Sequence, residues 1–311
     1  MKAELKIFSG TANPDLARNI ARELGVTLGQ CAIERFPDGE TFVRLDEPVR
    51  GHMVFIIQPT SPPVNDHLIE LLAFADACRR AAAARITAVV PYFGYARSDK
   101  RHERREPIMA SMIADVMQTV GIDHVITIDM HAPQLEGFFH VPVDSLTAVD
   151  TLAHELRGRL SEGTVVVSPD AGRVRMATEY AHRFNTSVIV LHKRRESGAE
   201  TAVTHLVGEV RDRPCLIVDD MISTGGTIAE SVEALLAAGA RPSITVAATH
   251  GLFLAGARDR LACAAVREVL VTDTVASTAQ NWPLLRVVSI APLIAAAIRR
   301  FLSGESLSDR G

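Results

Sequence analysis

Leu216-Ile217-Val218-Asp219-Asp220-Met221-Ile222-Ser223-Thr224-Gly225-Gly226-Thr227 is the stretch that decides how this chain folds. A short β-branched run ends in two adjacent carboxylates, and a Ser/Thr/Gly turn then opens a helical stretch, Thr227 to Ala238. A buried strand of this kind delivers acids to its C-terminal edge. There the amides and dipole of the next helix can hold a phosphate, and paired glycines let the backbone come close to it. The hydroxyls of Ser223, Thr224 and Thr227 add donors, while Asp219 and Asp220 can accept from vicinal sugar hydroxyls. Helix capping alone accounts for Ser223 or Thr224, but not for two acids at a strand end. The segment suits a phosphorylated sugar.

Working outward, short apolar runs alternate with amphipathic stretches. The runs are Val54 to Ile57, Ile86 to Val90, Val125 to Ile128, Val165 to Val167, Val188 to Leu191, Leu216 to Val218, Ile244 to Ala248 and Val269 to Val271. Strands alternating with helices predict an α/β protein with mainly parallel sheets flanked by helices. Phe55-Ile56-Ile57, the helix Leu68 to Arg80 and the strand Ile86 to Val90 resemble, about one domain length later, Leu216-Ile217-Val218, Thr227 to Ala238 and Ile244 to Ala247. Two tandem copies of one α/β unit are expected, with domains at 1–144 and 145–311. The last helix, 292–302, is a candidate to pack back on the N-terminal domain. The tail Ser303 to Gly311 is polar.

A chain of 311 residues with 47% hydrophobic side chains has material for two cores. Its formal charge of −4 gives no global attraction to nucleic acid or anionic membrane, so neither partner is expected. Cys31, Cys78, Cys215 and Cys263 fit neither a metal pattern nor a small disulfide framework; Met1 to Ser9 holds no apolar run of signal-peptide length, and no segment approaches the length of a membrane helix. A cytoplasmic protein is expected.

Four other segments carry chemistry. In Arg35-Phe36-Pro37-Asp38-Gly39-Glu40, Phe36 offers a face for a purine, and Asp38 and Glu40 offer acceptors for an exocyclic amine. Taken alone, a plain Pro-Asp-Gly turn between strands is the better reading of these residues. In Tyr92-Phe93-Gly94-Tyr95-Ala96-Arg97-Ser98-Asp99, a strand-end loop leads into the basic stretch Arg97 to Arg105, which could also be a solvated face or an RNA-binding patch. In Asp129-Met130-His131-Ala132-Pro133-Gln134, His131 could ligate a divalent cation, bind a phosphate oxygen or be structural. Asp170, in Ser168-Pro169-Asp170-Ala171-Gly172, is a hard carboxylate ligand beside a glycine. Lys193 and Arg195 alternate at a strand end and precede the polar stretch Glu196 to Glu200, which contains Gly198 and reads as a lid. A solvated strand end is the bland alternative.

Taken together, the sugar-phosphate segment resembles the ribose-5-phosphate loop of the phosphoribosyltransferase fold. The segments at Arg35 to Glu40, Tyr92 to Asp99, Asp129 to Gln134 and Lys193-Arg194-Arg195 look like signature segments of the ribose-phosphate pyrophosphokinase family, in its order and spacing, over nearly the whole chain. The resemblance implies two tandem phosphoribosyltransferase-like domains, ATP on the first and ribose 5-phosphate on the second. It implies that Phe36, Asp38, Gly39, Glu40, Arg97, Ser98, Asp99 and His131 bind ATP. Arg195, Asp219, Asp220, Ser223, Thr224, Gly225, Gly226 and Thr227 bind ribose 5-phosphate, His131 and Asp170 hold Mg²⁺, and Lys193 and Arg195 are catalytic. The resemblance further implies a homo-oligomer, at least a dimer and up to a hexamer, since the Phe36 loop reaches a neighbouring subunit's ATP in that family.

The reaction it implies moves the β,γ-diphosphoryl group of ATP to O1 of ribose 5-phosphate, releasing AMP. Two rivals are a phosphoribosyltransferase that consumes phosphoribosyl diphosphate, which would not need the Phe36 and Arg97 segments, and a non-catalytic regulatory homologue, which could lose Lys193, Arg195, His131 or Asp170. The match departs at Ser98, where Gln is common, at Arg173, where a second glycine is usual, and at Ser223, where Asp is frequent. The tail Gly304 to Gly311 also lacks the aromatic ending of many members.

Overall fold

A computed structural model describes residues 4–101, 103–196, 200–277 and 281–306, with 193–196 and 200–204 described by their backbone alone. The chain forms two compact units. The first comprises Met1–Thr147, Thr274–Ala276 and Ser289–Gly311, and the second Ala148–Asp273 and Ser277–Val288.

In the first unit, β1 (Leu5–Ser9) leads to α1 (Pro14–Leu24), the hairpin β2 (Cys31–Arg35) and β3 (Thr41–Leu45), then β4 (Met53–Ile57), α2 (Val64–Arg80), β5 (Arg85–Val90), α3 (Met109–Thr119), β6 (His124–Ile128) and β7 (Val143–Leu146). The main sheet has the order β1-β4-β5-β6-β7, every neighbouring pair parallel, while β2 and β3 pair antiparallel as a separate ribbon. Helices cover the sheet, so β4, β5 and β6 are buried almost throughout and read as mainly apolar runs, broken inside only by Thr87 and Thr127.

In the second unit, α4 (Val149–Leu156) precedes β8 (Val165–Ser168), α5 (Val174–Phe184), β9 (Val188–Glu196), β10 (Glu200–Val207), β11 (Cys215–Ile222), α6 (Gly226–Ala237), β12 (Ile244–Gly251), α7 (Ala257–Leu261), β13 (Val266–Thr272) and β14 (Leu285–Val288). Strand order is β10-β9-β8-β11-β12-β13-β14, parallel except for the β9–β10 pair. Without β9 and β10, this sheet repeats the first one strand for strand: β8, β11, β12, β13 and β14 stand where β1, β4, β5, β6 and β7 stand. Each unit also inserts an antiparallel hairpin between its first two core strands, β2–β3 in one and β9–β10 in the other.

Three boundaries differ from the sequence reading. Residues 141–146, read as the junction, contain β7, the edge strand of the first sheet, and the units change at Thr147. The strand expected to stop at Leu191 continues to Glu196, because β10 supplies antiparallel partners for its backbone as far as Glu196↔Glu200. The last helix, α8 (Ala291–Ser303), counted in 145–311 but expected as a candidate to pack on the N-terminal domain, groups with the first unit. It packs on α1 and buries Ile294, Ala295, Ala297 and Ile298. Gly198 of the expected lid, His102 of the basic stretch and the tail beyond Ser306 lie outside the described residues.

Candidate active site

The long β11 crosses the second sheet buried at every position but Met221 and carries Asp219 and Asp220 toward its C-terminal end, 8% and 2% exposed. The backbone N–H of Asp220 donates to Asp219 Oδ1 at 2.8 Å. The guanidinium of Arg173 spans both acids, with Nε 3.2 Å from Asp219 Oδ1 and Nη2 3.1 Å from Asp220 Oδ2. Burial, and next the charge of Asp220, push the Asp219 carboxyl well above its ordinary range, against the pull of Arg173.

After β11 the chain turns through Ser223 and Thr224 to Gly225, which caps α6 at φ 78°, a conformation that costs glycine little and other residues more. A Cβ there would also lie 3.3 Å from the Ala257 carbonyl oxygen and from Leu261 Cγ. Two further bonds fix the turn: Leu254 N–H donates to the Ser223 carbonyl at 2.9 Å, and Arg260 Nη1 to the Thr224 carbonyl at 2.7 Å. No described side chain caps α6, so no side-chain cap competes for its first-turn amides, the groups an anion would use.

In the same unit, Asp170 follows β8 and caps its own turn, its Oδ1 accepting from Gly172 N–H at 2.8 Å and Arg173 N–H at 3.1 Å. Lys193 and Arg195 lie on the extended arm of β9, in register with Val203 and Thr201 of β10.

In the first unit, Phe36 to Glu40 form the tip of the β2–β3 ribbon. Gly39 takes φ 94°, Phe36 N–H donates to the Glu40 carbonyl at 2.8 Å, and Glu40 N–H donates to Asp38 Oδ1 at 3.1 Å. Phe36 is 45% exposed, its ring centre 6.0 Å from that of Phe42. Arg35 is tied to Asp66 of α2 at 2.6 Å, which anchors the base of the tip. Beyond β5, Arg97 is exposed and Asp99 is buried, accepting from Gln134 Nε2; that bond ties the loop to the one that carries His131 beyond β6. The Ser98 hydroxyl oxygen accepts from Met109 N–H at 3.2 Å and so secures the start of α3. Among the described residues no three His, Cys, Asp or Glu side chains gather as a metal site.

The chain matches the N-terminal domain of ribose phosphate pyrophosphokinase over residues 5–121 and the phosphoribosyl synthetase-associated domain over residues 199–310. It is 43% identical over 308 residues to a ribose-phosphate pyrophosphokinase of Mesorhizobium japonicum, covering 98% of this chain and 99% of that one. It is 45% identical over 309 residues to that of Thermotoga maritima, covering 98% and 97%. The chain belongs to the ribose-phosphate pyrophosphokinase family. The crystal structure of phosphoribosylpyrophosphate synthetase from Mycobacterium smegmatis superposes with a TM-score of 0.91 at 41% identity, over 97% of this chain and 99% of that one.

Of the residues singled out in the sequence, Asp170, Lys193, Arg195 and the Asp219 to Thr227 segment fall on the second unit, and Phe36 to Glu40, Arg97 to Asp99 and His131 on the first. The sequence reading missed two arginines. Arg173 was read only as a departure from glycine, although a cation three residues after Asp170 was a visible signal. Arg260 left no local signal, because its contact with Thr224 arises only when α7 folds back on the loop.

Proposed function

We propose that this chain transfers the β,γ-diphosphoryl group of ATP to O1 of ribose 5-phosphate, giving phosphoribosyl diphosphate and AMP. The observation that carries this reading is the buried Asp219–Asp220 pair at the end of β11, followed at once by an uncapped helix N-terminus. The full-length identity to ribose-phosphate pyrophosphokinases supports it.

The sugar's O2 and O3 hydroxyls donate to the two carboxylates, and its 5-phosphate accepts from the amides and hydroxyls of Ser223 to Thr227. ATP is held by Phe36, Asp38, Gly39 and Glu40 at the adenine and by Arg97, Ser98, Asp99 and His131 toward the phosphates. Mg²⁺ would be held by Asp170, a hard carboxylate whose turn engages Oδ1, and would neutralise phosphate charge there; the family resemblance adds His131 as a ligand. The anomeric hydroxyl attacks the β-phosphorus in line and AMP departs. Lys193 and Arg195 offset the charge that develops between the sugar oxygen and the transferring group, the dominant demand of a loose transition state. No side chain is assigned as general base.

The protein works as a homo-oligomer, at least a dimer and up to a hexamer, in which the exposed Phe36 tip completes a neighbour's nucleotide site. It works in the reducing cytoplasm, in keeping with four free cysteines. Among the described residues no helix is long and apolar enough to cross a membrane.

The test is product analysis with Mg²⁺, ATP and ribose 5-phosphate. AMP formation that depends strictly on the sugar phosphate supports the reading, whereas ADP formation, or no nucleotide turnover at all, refutes it.

A further inference from the structure

We propose that Arg173 is a positioning residue of the ribose site, its guanidinium bridging Asp219 and Asp220 so that the pair is fixed as acceptors for the sugar's vicinal hydroxyls. The inference deepens the proposed reaction and rests on it. Successive strand residues project to opposite faces, so Asp219 and Asp220 do not converge by strand geometry alone. Arg173 reaches both, at 3.2 and 3.1 Å, through two different nitrogens of one rigid plane. Its side chain is 14% exposed, and those of the acids 10% and 3%, so the three charges lie largely out of water, where a pair of carboxylates demands a cation.

The position of Arg173 is set in turn. Its backbone N–H is held by Asp170 Oδ1 at 3.1 Å, in a three-residue turn that begins where β8 ends. The turn bearing the candidate metal ligand and the strand bearing the sugar acceptors are therefore joined through one residue. Each carboxylate has two oxygens with about four acceptor sites. The bridge engages Oδ1 of Asp219 and Oδ2 of Asp220, which leaves acceptor capacity for the sugar.

A lysine could meet one acid but not span both, and a methionine of similar length could meet neither. Two variants, Arg173→Lys and Arg173→Met, test the bridge by steady-state kinetics varying each substrate, with ribose 5-phosphate binding followed by calorimetry. The expected result for Arg173→Met is a KM for ribose 5-phosphate raised at least about tenfold with KM for ATP within about twofold, and Arg173→Lys intermediate. Calorimetry should show the same order of affinities without turnover. An unchanged or lowered KM for ribose 5-phosphate in Arg173→Met overturns the proposal and makes Arg173 a bystander or an obstruction. If Arg173→Met does not fold, Arg173→Lys decides: wild-type KM values for both substrates overturn the proposal. Wild-type protein that makes AMP while the variants match it refutes only the role of Arg173. Wild-type protein that neither makes AMP nor binds ribose 5-phosphate refutes the parent reading as well.

Discussion

The ring of Phe301 lies flat against the imidazole of His124, their centres 4.6 Å apart and their planes 9° from parallel. Asp144 holds that imidazole from β7, its Oδ2 2.8 Å from His124 Nε2. Phe55 meets the same phenyl ring edge-on at 5.8 Å, and the guanidinium carbon of Arg85 sits 4.5 Å from its centre. One side chain of α8 thus touches residues of β4, β5 and β6. Phe301→Ala should cost about 2–4 kcal/mol, from lost burial plus aromatic and cation–π contacts. Urea unfolding should show this as a lower midpoint with an unchanged slope.

Asp219→Asn separates stability from function. The carboxyl of Asp219 is raised from an ordinary value of 3.8 by burial and by Asp220. A raised folded-state value means that the group's contribution to stability is fully present below that ordinary value and is lost as pH rises through the raised one. The melting temperature of the wild type relative to Asp219→Asn should therefore be highest near pH 4 and fall toward neutrality. Activity should move independently, kcat/KM for ribose 5-phosphate dropping about 10- to 100-fold at neutral pH, as expected for one lost charge-assisted hydrogen bond.

Gly225→Ala meets two obstacles at once, a φ of 78° and a Cβ 3.3 Å from the Ala257 carbonyl oxygen. A stability loss of about 1–2 kcal/mol is expected. Because the strain falls on the turn proposed to hold the 5-phosphate, KM for ribose 5-phosphate should rise more than KM for ATP, which substrate-saturation curves would show.

Phe36→Ala should behave in the opposite way. At 45% exposure the ring contributes little to folding, so thermal unfolding should shift by no more than about 1 °C. KM for ATP should nevertheless rise severalfold, because Phe36 is the face proposed to stack on the purine.

Burial pushes the Cys78 thiol up to about 12 and the Cys215 thiol up to about 11. Thiolate is the reactive form, so at pH 8 neither should react with a disulfide reagent in the native protein, and Cys31, at about 11, should react slowly. Titration in denaturant should find all four thiols. Rapid native modification of Cys78 or Cys215 would contradict the buried placement.

The sequence by itself determined the parallel α/β class, because strands buried on both faces must be largely apolar, and β4 together with the middles of β5, β6, β11 and β12 is. It made the Asp219 to Thr227 segment legible as a candidate sugar-phosphate site, because a strand end, two acids and a glycine turn are contiguous in the chain and their chemistry is local. It also carried the repeat, since β4-α2-β5 and β11-α6-β12 keep the same order of patterns. What only tertiary structure decided involves partners distant in sequence. The arm of β9 exists because β10 pairs with it; the sequence reading ended that strand at Leu191, where the apolar signal stops but the backbone hydrogen bonds do not. The grouping of α8 with the first unit depends on contacts such as Phe301 with Phe55, 246 positions apart. Arg173 gained its role in the same way: a departure from glycine at one strand end became a bridge over two acids at the next, because adjacent parallel strands bring their C-terminal edges together.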